Sequence, residues 1–171
     1  MTTSLVFYGV LGIATTVIAF VGNRRLFSSG SGGGGDGGGG GRRGAGRVSA
    51  LECLYYVLGV VSLCLGWYFN IRYTHQYGHQ ASYVAYTKAL FSNWASDSAA
   101  QDYIMVNVVL LPLWTIVDGR RRGLRIPWIF FVMSLFTSLA FSMALFLAFI
   151  ERQIRYNRAE PADSSTAWPQ L

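Results

Sequence analysis

Residues 127–150 read PWIFFVMSLFTSLAFSMALFLAFI, twenty-four positions without a single charge. The length and polarity meet the requirement for a helix that crosses a bilayer, so the stretch is predicted to be a transmembrane span. Two more stretches pass the same test: Ser4 to Gly22, SLVFYGVLGIATTVIAFVG, and Cys53 to Ile71, CLYYVLGVVSLCLGWYFNI, nineteen residues each and free of charge. A fourth, between Asp102 and Asp118, holds only fifteen residues and contains Asn107 and Pro112. Fifteen residues reach about 22 Å against a hydrocarbon core of about 30 Å. This segment needs an extension through Ser98 to Gln101 or a local thinning of the bilayer. The expectation is an all-α, multi-pass membrane bundle of four transmembrane helices, numbered in chain order.

Composition agrees with that expectation. The 171 residues are 52% hydrophobic, 15% aromatic and only 13% charged, with a mean hydropathy of +0.34. That charged fraction is about half the usual value, too little for a soluble exterior. The first stretch has no positive residue ahead of it and no small-residue cleavage pattern after it, which favours a retained span over a signal peptide.

Arginines set the expected orientation, because short loops rich in Arg and Lys stay in the cytoplasm. The first loop carries Arg24, Arg25, Arg42, Arg43 and Arg47, and the third carries Arg120, Arg121, Arg122 and Arg125. The second loop holds only Arg72 and Lys88, while Arg152, Arg155 and Arg158 follow the last span. Four straight crossings place both termini outside and leave those last three arginines on the sparsely charged side. The net charge of +6 is then a matter of anionic headgroups rather than nucleic acid.

The loops exclude several classes of function. The glycine run from Ser28 to Arg47 has no G-x-x-x-x-G-K-[ST] pattern and reads as a flexible linker, not a phosphate loop. The second loop is rich in Tyr and Trp, as membrane interfaces are, and predicts a short interfacial helix near 81–91. His75 and His79 stand four apart, yet Gly78 separates them and no third ligand follows, so no metal is expected. Cys53 and Cys64 lie about 16 Å apart along one helix and cannot pair. No cofactor is expected. The tail from 156 onward is expected to be polar and disordered.

Inside the spans the polar and small residues fall into rows. Glu52, Tyr55, Gly59, Ser62, Gly66 and Asn70 share one face of the second span. Ser134, Ser138 and Ser142 recur at every fourth position of the last span, beside Ala140, Ala144 and Ala148. Small residues allow helices to approach closely in lipid, so these rows are expected to be packing faces. The carboxylates gather at span ends: Glu52 opens the second span, Asp102 and Asp118 bound the third, and Glu151 ends the fourth, each expected to reach headgroups or water. Candidate site residues are therefore Asp102, Asp118 and Glu151 as acids or bases, with Asn70 and Asn107 as positioning groups.

The order WYFNI (67–71), LFSNWASDSAAQD (90–102), an apolar span, DGRRRGLRIPW (118–128) and ALFLAFIERQIR (144–155) resembles the DUF2834 family of small integral membrane proteins. The resemblance covers roughly residues 52 to 155. It implies a fold and a membrane location, and no activity. Two functions are carried forward: assembly with membrane partners, lipids or a hydrophobic small molecule, and, as the alternative, a membrane-embedded isoprenoid or terpenoid cyclase or isomerase.

Overall fold

The computed structural model describes residues 2–28 and 48–159, and every regular element among them is helical. The glycine run and the residues after 159 lie outside the described residues. Helix α1 covers Thr2–Gly22 and is followed by a single turn, α2, Arg25–Ser28. Helix α3 runs over Ala50–Tyr77. A 3₁₀ turn, Gly78–Gln80, leads to α4, Tyr83–Leu90, where the interfacial helix was expected. Helix α5, Trp94–Ile104, passes through a wider π-type stretch, Met105–Leu110, into α6, Leu111–Arg122. The last two helices are α7, Ile129–Phe136, and α8, Leu139–Ala159. Residues 156–159, expected to belong to a disordered tail, continue α8.

The length problem of the third segment disappears. Asn93 caps α5 by accepting from the amides of Ala95 and Ser96, at 3.1 and 3.0 Å, so the helix starts about two and a half turns earlier than the apolar run suggests. From Trp94 to Arg122 it is 29 residues long, about 43 Å. Pro112 has no N–H to give to the turn before it. The chain answers by widening there, and the Leu111 amide donates five residues back to Val106.

The apolar stretch 127–150 does not run straight. The backbone breaks at Thr137, with φ −116° and ψ −96°, and Ser138 starts a new helix by accepting from the Phe141 amide at 3.0 Å. The Ser142 hydroxyl then donates to the Phe130 carbonyl. The Phe130 ring lies 5.3 Å from Phe146 and 5.4 Å from Phe149, centroid to centroid. On one straight helix residues 130 and 149 would be about 28 Å apart. Helices α7 and α8 are therefore a hairpin, and α8 returns to the end of the bundle where α7 begins.

The same end gathers the chain's other turns. The Arg125 amide donates to Asn23 Oδ1 at 3.1 Å, Asn157 Nδ2 donates to the Arg122 carbonyl at 3.3 Å, and the start of α3 meets the end of α8. The tip of the hairpin is against Gly12, where a Cβ would stand 2.9 Å from Thr137 Cγ2. Gly12 is eleven residues above Asn23, so the tip reaches about 16 Å into the bundle, half a bilayer core. Accordingly, the first and last described residues sit at opposite ends of the bundle.

The hairpin is the core, and α1, α3 and α5–α6 stand around it. Ile129, Phe130, Met133, Phe146 and Phe149 are all but inaccessible. The expected small-residue rows do meet: Ser62 Oγ and Ser138 Oγ are 3.3 Å apart, and Gly59 faces Phe141 and Ala144. By contrast, only 11% of the most apolar window of α3 is buried, and 22% of that of α5–α6. Both helices are long and apolar enough to cross a membrane, and their valines and leucines, Val57, Val60 and Leu65 among them, face outward.

Candidate functional site, an ion cluster at the basic end of the bundle

Ser49 begins α3 in an extended conformation, φ −79° and ψ 158°, and its hydroxyl accepts from the Glu52 amide at 3.1 Å. This is an ordinary helix start. Its result is that the Glu52 side chain, on the first turn, is turned inward to face α8 and is completely buried. The expectation that Glu52 reaches headgroups or water is thus corrected.

Two guanidiniums and a phenol occupy that carboxylate. Arg152 Nη1 lies 2.9 Å from Oε1, Arg155 Nη2 bonds Oε2, and the Tyr56 hydroxyl donates to Oε1 at 3.1 Å. Arg152 is held in turn: its Nε donates to the Leu26 carbonyl at 3.0 Å, and its guanidinium stands 4.2 Å above the Phe27 ring. Glu151 completes the set, accepting from the Ser49 hydroxyl at 3.4 Å and facing Arg155 Nε at 3.7 Å. Two carboxylates and two guanidiniums balance. Removing such charges from water costs several kcal/mol per ion, and only full pairing and hydrogen bonding offset it. The cluster ties α2, α3 and α8 together.

The remaining candidates are dispersed. Asp118 accepts Arg122 Nε through both oxygens, at 2.9 and 2.8 Å, in a partly exposed pair one helical turn apart. Asp102 is exposed on α5, and Asn70 is exposed on α3. Asn107 is buried within the π-type stretch, where Ser134 donates to its Oδ1 at 2.7 Å and its Nδ2 donates to the Tyr103 hydroxyl at 3.3 Å. Of the five candidates, Glu151 alone joins the cluster. His75 is exposed, and Cys53 and Cys64 are unpaired and exposed.

Sequence reasoning missed Glu52, Arg152, Arg155 and Tyr56 as a unit. One signal was present: Ser49-x-x-Glu52 is a capping-box pattern, which fixes where α3 starts and so which way Glu52 points. Tyr55 was placed on the packing face, whereas Tyr56, one turn beyond Glu52, makes the bond.

The model of DUF2834, described as a protein of unknown function, matches residues 54–152. The chain belongs to the DUF2834 family. The matched region takes in most of α3, all of α4 to α7, and α8 as far as Arg152. Within this DUF2834 member, Glu52 and Arg155 fall just outside the two edges of the match. Neither among curated proteins nor among solved structures does any match the chain.

Proposed function

We propose that this DUF2834 member is a multi-pass integral membrane protein of three crossings and one re-entrant hairpin. The start of α1 and the turn at 78–82 lie outside, and the basic end lies in the cytoplasm. It acts without catalysis, by assembling with membrane partners or lipids through the outer faces of α1, α3 and α5–α6. The observation that carries this reading is the contrast between inside and outside: the buried Glu52 and Asn107 are paired within the protein, while the long helices present continuous apolar surface.

Arginine placement supports the orientation. Because α8 turns back, Arg152, Arg155 and Arg158 join the basic end, where Arg24, Arg25 and Arg120 to Arg125 already sit, and among the described residues only Arg72 and Lys88 remain opposite. A re-entrant hairpin thus resolves the conflict that four straight crossings create with the positive-inside tendency. The alternative, an isoprenoid or terpenoid cyclase or isomerase, calls for carboxylates that converge on one reacting atom. Asp102 and Asp118 are sixteen residues apart on one helix, about 24 Å, and Glu151 is engaged by Ser49 and Arg155.

Single cysteines at Ser82 and Asn157, in a chain with Cys53 and Cys64 replaced by serine, test the arrangement. An impermeant maleimide is expected to label position 82 in intact cells and position 157 only after permeabilisation; labelling of 157 in intact cells overturns the re-entrant reading. The non-enzymatic reading is tested by D102N/D118N/E151Q. Loss of an isoprenoid or lipid product at unchanged protein abundance would rule it out.

A further inference from the structure

The end of the bundle opposite the ion cluster holds a groove between the last turns of α3 and helix α4, with a volume of about 430 Å³. Phe69 and Leu90 line its apolar part, and Arg72 and Gln76 its polar part. Its depth in a membrane follows from helix geometry. Arg72 is twenty residues beyond Glu52 on the same continuous helix, about 30 Å, which is the thickness of the hydrocarbon core. With Glu52 at one interface, Arg72 stands at the headgroup level of the other.

We infer that this groove seats the phosphodiester headgroup of an anionic phospholipid from the outer leaflet, with Arg72 as the recognising cation. The inference rests on the membrane arrangement proposed above. Among the described residues that line the groove, Arg72 is the one charged side chain. Its guanidinium is oriented before any ligand arrives: Nη1 donates to the Tyr68 hydroxyl at 2.9 Å, and the group lies 5.8 Å over the Tyr68 ring. One of its five N–H donors serves that bond, which leaves a planar fork suited to two phosphate oxygens.

The uncharged polar part of the headgroup is also selected. No carboxylate is among the described residues that line the groove, so an ethanolamine ammonium would meet Arg72 without a counter-charge. A choline would need open aromatic faces. The groove's tyrosines pack on one another instead, Tyr73 on Tyr77 at 4.7 Å and edge-on to Tyr86 at 5.3 Å. A glycerol-type headgroup satisfies both conditions, with Gln76 to bond its hydroxyls and Phe69 and Leu90 beneath its glyceryl and upper acyl carbons.

The test uses the full chain in phosphatidylcholine vesicles that contain a minor fraction of photoactivatable phosphatidylglycerol, with crosslinked peptides mapped by mass spectrometry. Crosslinks to residues 69–90 are expected to fall about tenfold in Arg72→Gln, the loss of a charge-assisted contact, while crosslinks at the basic end stay constant. Lys88→Gln removes the other cation of this end, does not line the groove, and is expected to leave the yield unchanged. An unchanged yield in Arg72→Gln overturns the site, as does an equal loss in Lys88→Gln. Competition by millimolar inorganic phosphate points to a soluble anion and overturns the lipid assignment. Labelling of a cysteine at position 82 from outside is scored in parallel. If it labels and the lipid does not crosslink, the headgroup site alone fails; if it does not label, the membrane arrangement fails with it.

Discussion

The two ends of this bundle are built on different principles. At the basic end the start of α3, the turn after α1, the end of α6 and both feet of the α7–α8 hairpin converge, and a fully buried carboxylate is shared by two arginines. Above the hairpin tip the described residues show no comparable packing: the upper part of α3, from Tyr68 to Ile71, is exposed, and α3 touches its surroundings there through Trp67 near Gly9 and through α4. The hairpin makes the difference, because it supplies a core to one half of the molecule only. Buried contacts and ion pairs are therefore concentrated at the basic end.

Substitutions at the two ends break this comparison if they cost the same. The largest expected effect is that of Glu52→Ala, which leaves Arg152 and Arg155 without their buried counter-charge. A loss of about 3–5 kcal/mol in unfolding free energy, measured by denaturation in mixed micelles, is expected. The double change Glu52→Leu with Arg152→Met should recover much of that loss, since an apolar pair needs no pairing. Next is Gly119→Ala on α6, where a Cβ would stand 2.6 Å from Pro127 Cβ. The rigid ring cannot move aside, and a cost of about 1–3 kcal/mol is expected. Ser134→Ala removes the donor to Asn107 Oδ1 and should cost about 1 kcal/mol. The smallest effect belongs to Gly66→Ala, near the open end, where the nearest atom, Ser138 Cβ, lies 3.8 Å from the added methyl. A change within about 0.5 kcal/mol is expected. A Gly66→Ala loss as large as that of Gly119→Ala would remove the contrast between the ends.

Much of this architecture is legible in the chain. The hydropathy of α3, the interfacial helix near 81–91, and the contact of Gly59 and Ser62 with the row from Ser138 to Ala144 all follow from length, aromatic content and small-residue spacing. The fold-back of 127–150 does not, because a helix that crosses and a hairpin that returns show the same unbroken apolar composition. No Pro or Gly marks the break at Thr137. Two weaker signals were there: Ser138 can cap a helix, and Arg152, Arg155 and Arg158 fall on the wrong side of any four-span scheme. The ion cluster was hidden for a related reason. Glu52 and its partners are 100 and 103 positions apart in the chain, and no local pattern links a span-end carboxylate to arginines so distant. The candidates chosen as span-end acids proved to be separate side chains, since a shared position along a helix axis does not give a shared place in space.

The separation of Arg152 and Arg155 from Glu52, 100 and 103 positions along the chain, bears on how the protein is made. Synthesis runs from the N-terminus, so Glu52 leaves the ribosome about a hundred residues before the groups that neutralise it. Through that interval α3 carries an unmatched carboxylate, and α1, α3 and α5–α6 surround a space that α7 and α8 have yet to enter. The helices α1, α3 and α5–α6 are translated before the hairpin, and it is the later-made hairpin that closes the charge and fills the centre. A chain that stops short of Arg152 keeps the core residues Phe130, Phe146 and Phe149 but loses both counter-charges of Glu52, so shortening from the C-terminal side is expected to abolish accumulation abruptly between residues 155 and 151, and pulse-chase measurement of such a truncation series reads that threshold directly.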